Sequence, residues 1–180
     1  GKNHEQTQAD LHKDNDLMLP TRQFVDFLNL LRSGKAFDGN GQKVPQQRIE
    51  QILDEIYGLR VSWRGEHIDT RFKNVGNGLN ILHHKANPDG TIQLVEEPLD
   101  PDTLMNERWS GIDMDSWLRN PTFQGFPRKN IPDGKLFYWP PYDNSGVRFL
   151  AGSDWALLYC SRYPVLSYPS LGVRRAKIKV

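Results

Sequence analysis

The hydrophobic period of this chain changes at Gly58, and that change restricts the fold more than any other feature. Upstream, apolar residues recur at helical spacing. Phe24, Val25, Phe27, Leu28, Leu30 and Leu31 form one stripe; Ile49, Ile52, Leu53, Ile56 and Tyr57 form the next. Such i, i+3, i+4 patterns put apolar side chains on one face of a helix. Downstream the period falls to two: Val61, Trp63 and Gly65 alternate with Ser62 and Arg64, and β-rich runs follow. The pattern predicts an α+β domain: an N-terminal αα-hairpin packed on a mainly antiparallel, aromatic-rich β-sheet.

Local signals set the expected boundaries. Thr21 is placed to cap the first helix and Gly34 to end it; Pro45 opens the second and Gly58 closes it. Leu79 to Lys85 and Thr91 to Glu96 flank the turn Asn87-Pro88-Asp89-Gly90, which predicts a β-hairpin. Lys135 to Trp139, Val147 to Leu150, Trp155 to Ser161 and Val173 to Val180 read as strands, the second and third as antiparallel neighbours. Between them, residues 98–133 hold a short helical run, Asp113 to Leu118, inside an otherwise irregular stretch. Trp109, Trp117, Phe123 and Phe126 are available to pack it. Residues 1–19 are polar and without period, which predicts an extended arm ahead of one soluble domain over 20–180.

Composition narrows the function classes. The net charge of +1 argues against a general nucleic-acid binder, and in the basic end of the chain (Arg174, Arg175, Lys177, Lys179) the last three alternate with Ala176, Ile178 and Val180, as in a half-buried strand. Cys160 is the single cysteine, so no disulfide can form within the chain. No apolar run reaches the ~20 residues of a membrane span. Nothing in the sequence assigns a compartment.

Candidate chemistry is sparse. Asp38-Gly39-Asn40-Gly41-Gln42 starts like a calcium loop, but Lys43 stands where a glycine is required and Ile49 where a bidentate Glu is required. His67 and Asp69 share a strand face, and one of His83 and His84 could join them. No metal-ligand spacing is matched, and no metal or cofactor is expected. Cys160 lies in the apolar run Leu157-Leu158-Tyr159-Cys160-Ser161, where a thiol is inert. Asp113, Asp115 and Asp154 could pair as catalytic carboxylates, although Asp113 suits a helix cap and Asp154 a turn. Phosphate-cradling glycine loops, a GxSxG elbow, HExxH and paired CxxC motifs are all missing.

Aromatic residues crowd the second half. Successive side chains of Leu136-Phe137-Tyr138-Trp139 point to opposite sheet faces, so one pair faces away from the main core. The expected function is a non-catalytic binding or interaction domain, with Trp109, Trp117, Tyr138, Trp139 and Tyr142 forming an aromatic surface for a sugar, peptide or protein partner. Two alternatives accompany it. One is a hydrolase or transferase using His67, His83 or His84 with Asp69 or Asp154, and Cys160 as a further candidate. The other is a structural component of an oligomer joined through the N-terminal arm.

Overall fold

The computed structural model describes residues 2–58 and 62–178. Four helices and ten strands occur among them, in the order α1 (His4–Lys13), β1 (Asp16–Met18), α2 (Thr21–Arg32), α3 (Gln46–Tyr57), β2 (Arg64–Asn74), β3 (Leu79–Ala86), β4 (Ile92–Pro98), β5 (Arg108–Ile112), α4 (Met114–Arg119), β6 (Leu136–Trp139), β7 (Gly146–Ala151), β8 (Ala156–Arg162), β9 (Leu171–Val173) and β10 (Arg175–Lys177). The chain is thus α+β. Leu59 and Val61, at the start of the expected ribbon, and Lys179 and Val180, at the end of the expected last strand, lie outside the described residues.

The principal sheet has the order β4-β3-β2-β7-β8-β6-β5, with β9 beside β2. Its pairings are antiparallel except β2–β9 and β6–β8. The hairpin of β3 and β4 forms around Asn87–Gly90 as the turn residues predict, with Gly90 at φ 83°. β7 and β8 are antiparallel neighbours, and β8 lies between β7 and β6.

One face of this sheet supplies the core. Ile68 and Phe72 of β2, Val147 and Phe149 of β7, Leu158 and Cys160 of β8, and Leu136 and Tyr138 of β6 are all buried with Phe24, Leu28, Ile49 and Ile56 from the helices. α2 touches α3, α4 and β2, and α3 touches β7. Thr21 does not act as the cap of α2. It is the first helical residue, and its buried hydroxyl lies 2.8 Å from that of Thr70. A buried hydroxyl needs a partner, and β2 offers one.

Leu104, Ile112, Trp117, Leu118, Phe126 and Ile131, from the stretch between β4 and β6, join this core. Trp117 is fully buried in α4, stacks on Phe149 at 6.4 Å and donates its indole N–H to the Gly125 carbonyl at 2.9 Å. Gly125 has φ +96°, and a Cβ there would come within 2.6 Å of the Arg22 backbone, so the turn can seat on the start of α2 only as glycine. The Tyr138 hydroxyl donates to the Leu104 carbonyl at 2.8 Å, which ties the segment to β6. Phe126 packs on Phe72 at 5.6 Å, whereas Trp109 and Phe123 stay exposed.

The N-terminal residues differ from the extended arm that their polarity suggests. Asn3 and Gln6 form a reciprocal capping box, and a ten-residue helix follows. Its contacts are mainly polar, so no apolar stripe marks it. His4 Nε2 donates to the Ile68 carbonyl at 2.8 Å, Arg71 pairs with Glu5 at 2.6 Å, and Gln8 reaches Asp69 at 2.6 Å. β1 then pairs with β10. The single last strand expected from Val173 onward is interrupted: Val173 ends β9, Arg174 pairs with the largely buried Glu66 at 2.7 Å, and β10 spans Arg175–Lys177.

Trp117→Ala is expected to lower the unfolding free energy by about 3–5 kcal/mol, as for other core Trp truncations. Tyr138→Phe is expected to cost about 1–2 kcal/mol, by leaving the Leu104 carbonyl unpaired. Equilibrium urea unfolding measures both, and a Trp117→Ala loss below about 1 kcal/mol contradicts the central place given to that ring.

Candidate functional site

The opposite face of the sheet carries a row of polar and aromatic side chains. His67 of β2 is registered with Arg148 of β7, Arg148 with Tyr159 of β8, and Tyr159 with Trp139 of β6. Cross-strand partners share a face. Each is one residue from a core position (Ile68, Phe149, Leu158 and Tyr138), so the alternation that fills the core sends these four the other way. Trp139 meets Tyr159 edge to face at 4.3 Å, and Trp109 adds its ring to Trp139 at 5.1 Å.

Over the middle of this row lies a cleft of about 310 Å³. Trp139, Tyr159, Arg148 and Leu150 come from the sheet, Trp63 precedes β2, and Trp155 comes from the turn between β7 and β8. The Trp155 indole lies across Gly152, where an added Cβ would come within 2.5 Å of the ring. Tyr168 and Leu171 complete the wall from the segment that crosses this face, with Tyr168 edge-on to Trp63 at 5.7 Å. The segment is held by Arg148, whose Nη2 donates to the Leu166 carbonyl at 2.6 Å. Arg162 is the second cation, donating to the Tyr168 hydroxyl with its guanidinium 5.3 Å from that ring's centroid. Among the described residues, no Asp or Glu lines the cleft. Arg148 is 3% exposed; burial, and then the nearby Arg162, lower its pKa to about 10, which leaves it a cation at neutral pH.

No protein-family model, curated protein or solved structure matches this chain.

Of the five aromatic residues expected to form a surface, the structure brings two together there. Trp139 lines the cleft and Trp109, 63% exposed, flanks it. Trp117 and Tyr138 are fully buried on the helix side, their polar atoms satisfied by backbone carbonyls. Tyr142 is exposed, but it does not line the cleft. Sequence reasoning missed the two arginines. The available signal was Arg148 interrupting Val147-Arg148-Phe149-Leu150, an otherwise apolar strand. A charge there marks the second face as serving something other than core.

The histidines gather elsewhere, where α1 lies on β2 and β3. Asp69 is buried and accepts from the His84 backbone N–H at 2.7 Å. Gln8 Nε2 lies 2.6 Å from Asp69 Oδ1 and 2.8 Å from His84 Nδ1, while those two atoms are 3.2 Å apart. These contacts join Gln8 of α1 to Asp69 of β2 and His84 of β3, and so brace α1 on the sheet. His83 lies 3.7 Å from Glu97, separate from this group.

The other catalytic candidates are engaged structurally. Asp113 caps α4 by accepting from the Ser116 N–H at 2.8 Å, Asp115 pairs with Arg32, and Asp154 sits beside Ser153 in the β7–β8 turn. Asp38 accepts from the backbone N–H groups of Asn40 and Gln42, closing the turn that resembles a calcium loop. Among the described residues no group of three or more His, Cys, Asp or Glu could hold a metal ion. Cys160 is wholly buried, and burial pushes its thiol pKa up. It should not react with a bulky disulfide reagent until the protein is unfolded in urea. Rapid labelling of the native protein would contradict that burial.

His67 predicts how acid acts on the fold. Its ring is buried without a well-formed hydrogen bond; burial first, then His4 and Arg148, pull its pKa down to about 3, against a weak opposite pull from the Lys2 backbone. His4 and His12 are lowered in the same direction, chiefly by burial. Unfolding restores an ordinary imidazole, so the unfolded chain binds the proton first and stability falls as pH drops below about 6.5 toward 3. His67 alone is expected to contribute roughly 2 kcal/mol of loss between pH 7 and pH 5. Urea unfolding at the two pH values measures the slope. His67→Phe should flatten it, and an unchanged slope would show that the ring titrates normally.

Proposed function

We propose that this chain is a non-catalytic binding domain whose ligand seats in the aromatic cleft on the outer face of the sheet. The observation that carries this reading is the concentration of Trp63, Trp139, Trp155, Tyr159 and Tyr168 around one concave surface that the helix-side core does not use. Large rings give contact area at low entropic cost and dominate many binding sites. Their edge-to-face arrangement favours a boxed site for one flat or ring-shaped group, such as a sugar ring or an aromatic side chain of a peptide. The volume of about 310 Å³ is at the small end of ligand pockets, which fits a single ring better than a long polymer. Cys160 is buried in the helix-side core, on the face opposite the Gln8, Asp69 and His84 brace, which weighs against the hydrolase or transferase alternative.

The test is a set of single-ring compounds (monosaccharides, phenyl and indole derivatives) titrated into the protein and followed by the indole N–H resonances in two-dimensional NMR. Trp63, Trp139 and Trp155 signals are expected to shift while that of Trp117 stays fixed. Trp139→Ala and Tyr159→Ala, each checked for folding by circular dichroism, should weaken the tightest binder by about tenfold or more, the usual scale of an aromatic anchor. Binding unchanged in both variants would remove the cleft as the site.

A further inference from the structure

We infer that the cleft selects a small ring-bearing acid, in which the ring sits among the indoles and the acidic group docks on Arg148 and Arg162. The inference rests on the binding role proposed for this cleft and adds the charge of the ligand. It starts from how arginines are used in the chain. Most other arginines stand against carboxylates, as Arg71 does with Glu5, Arg108 with Asp133, Arg174 with Glu66 and Arg32 with Asp115; Arg64, on the Asp54 carbonyl, and Arg119 are exceptions, and neither lines the cleft. Arg148 and Arg162, which do line it, stand against no carboxylate among the described residues. Among the described residues, the only acceptor for Arg148 is the Leu166 carbonyl, and the only one for Arg162 is the Tyr168 hydroxyl.

A guanidinium has five N–H donors in a planar fork. Arg148 therefore has donors to spare, although it is almost completely buried and lines the cleft. Two like charges held beside an apolar wall with no counter-ion are unfavourable by themselves. An arriving carboxylate or phosphate would remove that cost, and forked N–H donors suit both acids. The rings add a second requirement. An anion alone would leave the faces of Trp63, Trp139 and Trp155 unfilled, whereas a neutral ring alone would leave the arginines unpaired. A ring joined to one acidic group satisfies both within about 310 Å³.

The experiment uses the full chain and isothermal titration with matched probes. Phenylacetate, phenylacetamide and phenethylamine share a ring and differ in charge. Phenyl phosphate, glucuronate and inorganic phosphate then separate an aromatic acid, a sugar acid and a bare anion. At least one ring-bearing acid is expected to bind tenfold or more tighter than phenylacetamide, with phenethylamine weakest. Inorganic phosphate should bind more weakly than phenyl phosphate. Arg148→Gln and Arg162→Gln should each reduce the preference for acid over amide to about threefold or less while the amide's own affinity holds. If Arg148→Gln does not fold, Arg162→Gln decides alone. Equal affinity for acid and amide in the unmodified protein overturns the acid selectivity and leaves the binding cleft standing. An acid preference that survives Arg162→Gln overturns the role of the arginines. If no ring-bearing probe binds, acidic or neutral, both the cleft and its selectivity fall.

Discussion

A β-strand has two faces, and the apolar helices α2, α3 and α4 cover only one of them. The consequence is clearest along β7, at the middle of the sheet. Val147 and Phe149 go into the core beneath the helices, so Arg148 and Leu150 must point to the other side. The neighbouring strands obey the same rule, and the outer row His67, Arg148, Tyr159 and Trp139 is the necessary complement of the inner one. That second face must then be exposed, covered or used.

Different parts of it are treated differently. Over β2 and β3, α1 covers it through polar contacts, with Asp69 as the buried anchor for Gln8 and the His84 backbone. Over β7 and β8, the segment after Tyr163 crosses the face and is fastened to Arg148. Between that segment and Trp139 the cover is incomplete, and the aromatic cleft is what remains. The buried histidines under α1 and the buried arginine at the cleft are both expensive in free energy. His67 is held neutral beneath a helix. The arginine keeps its charge and faces a cavity.

Much of the fold was legible in the sequence, because period and turn chemistry report local structure. The stripes of α2 and α3, the Asn87–Gly90 turn and the Asp113 cap all appear where side-chain spacing puts them. α1 was not legible, since Leu11 is its one buried apolar residue and its contacts are with Ile68, Arg71 and Asp69, far away in the chain. The insertion of β8 between β7 and β6 is likewise a matter of pairing, on which local pattern is silent. For the site, alternation correctly separates Trp139 from Tyr138, but it does not say which of them is inside. Trp117 looked like a surface ring until the Gly125 turn and Phe149 were seen around it. The cleft needed Trp63, Trp155 and Tyr168 from three separate connections, which only the folded chain brings together.

The central claim is that the two aromatic populations lie on opposite faces of one sheet, one sealed and one open. Hydroxyl-radical footprinting read by mass spectrometry tests it residue by residue. Trp139, Trp155 and Tyr168 should oxidise readily in the native protein, while Trp117 and Tyr138 stay protected until the chain is unfolded. Equal protection of all five, or ready oxidation of Trp117, would contradict the account.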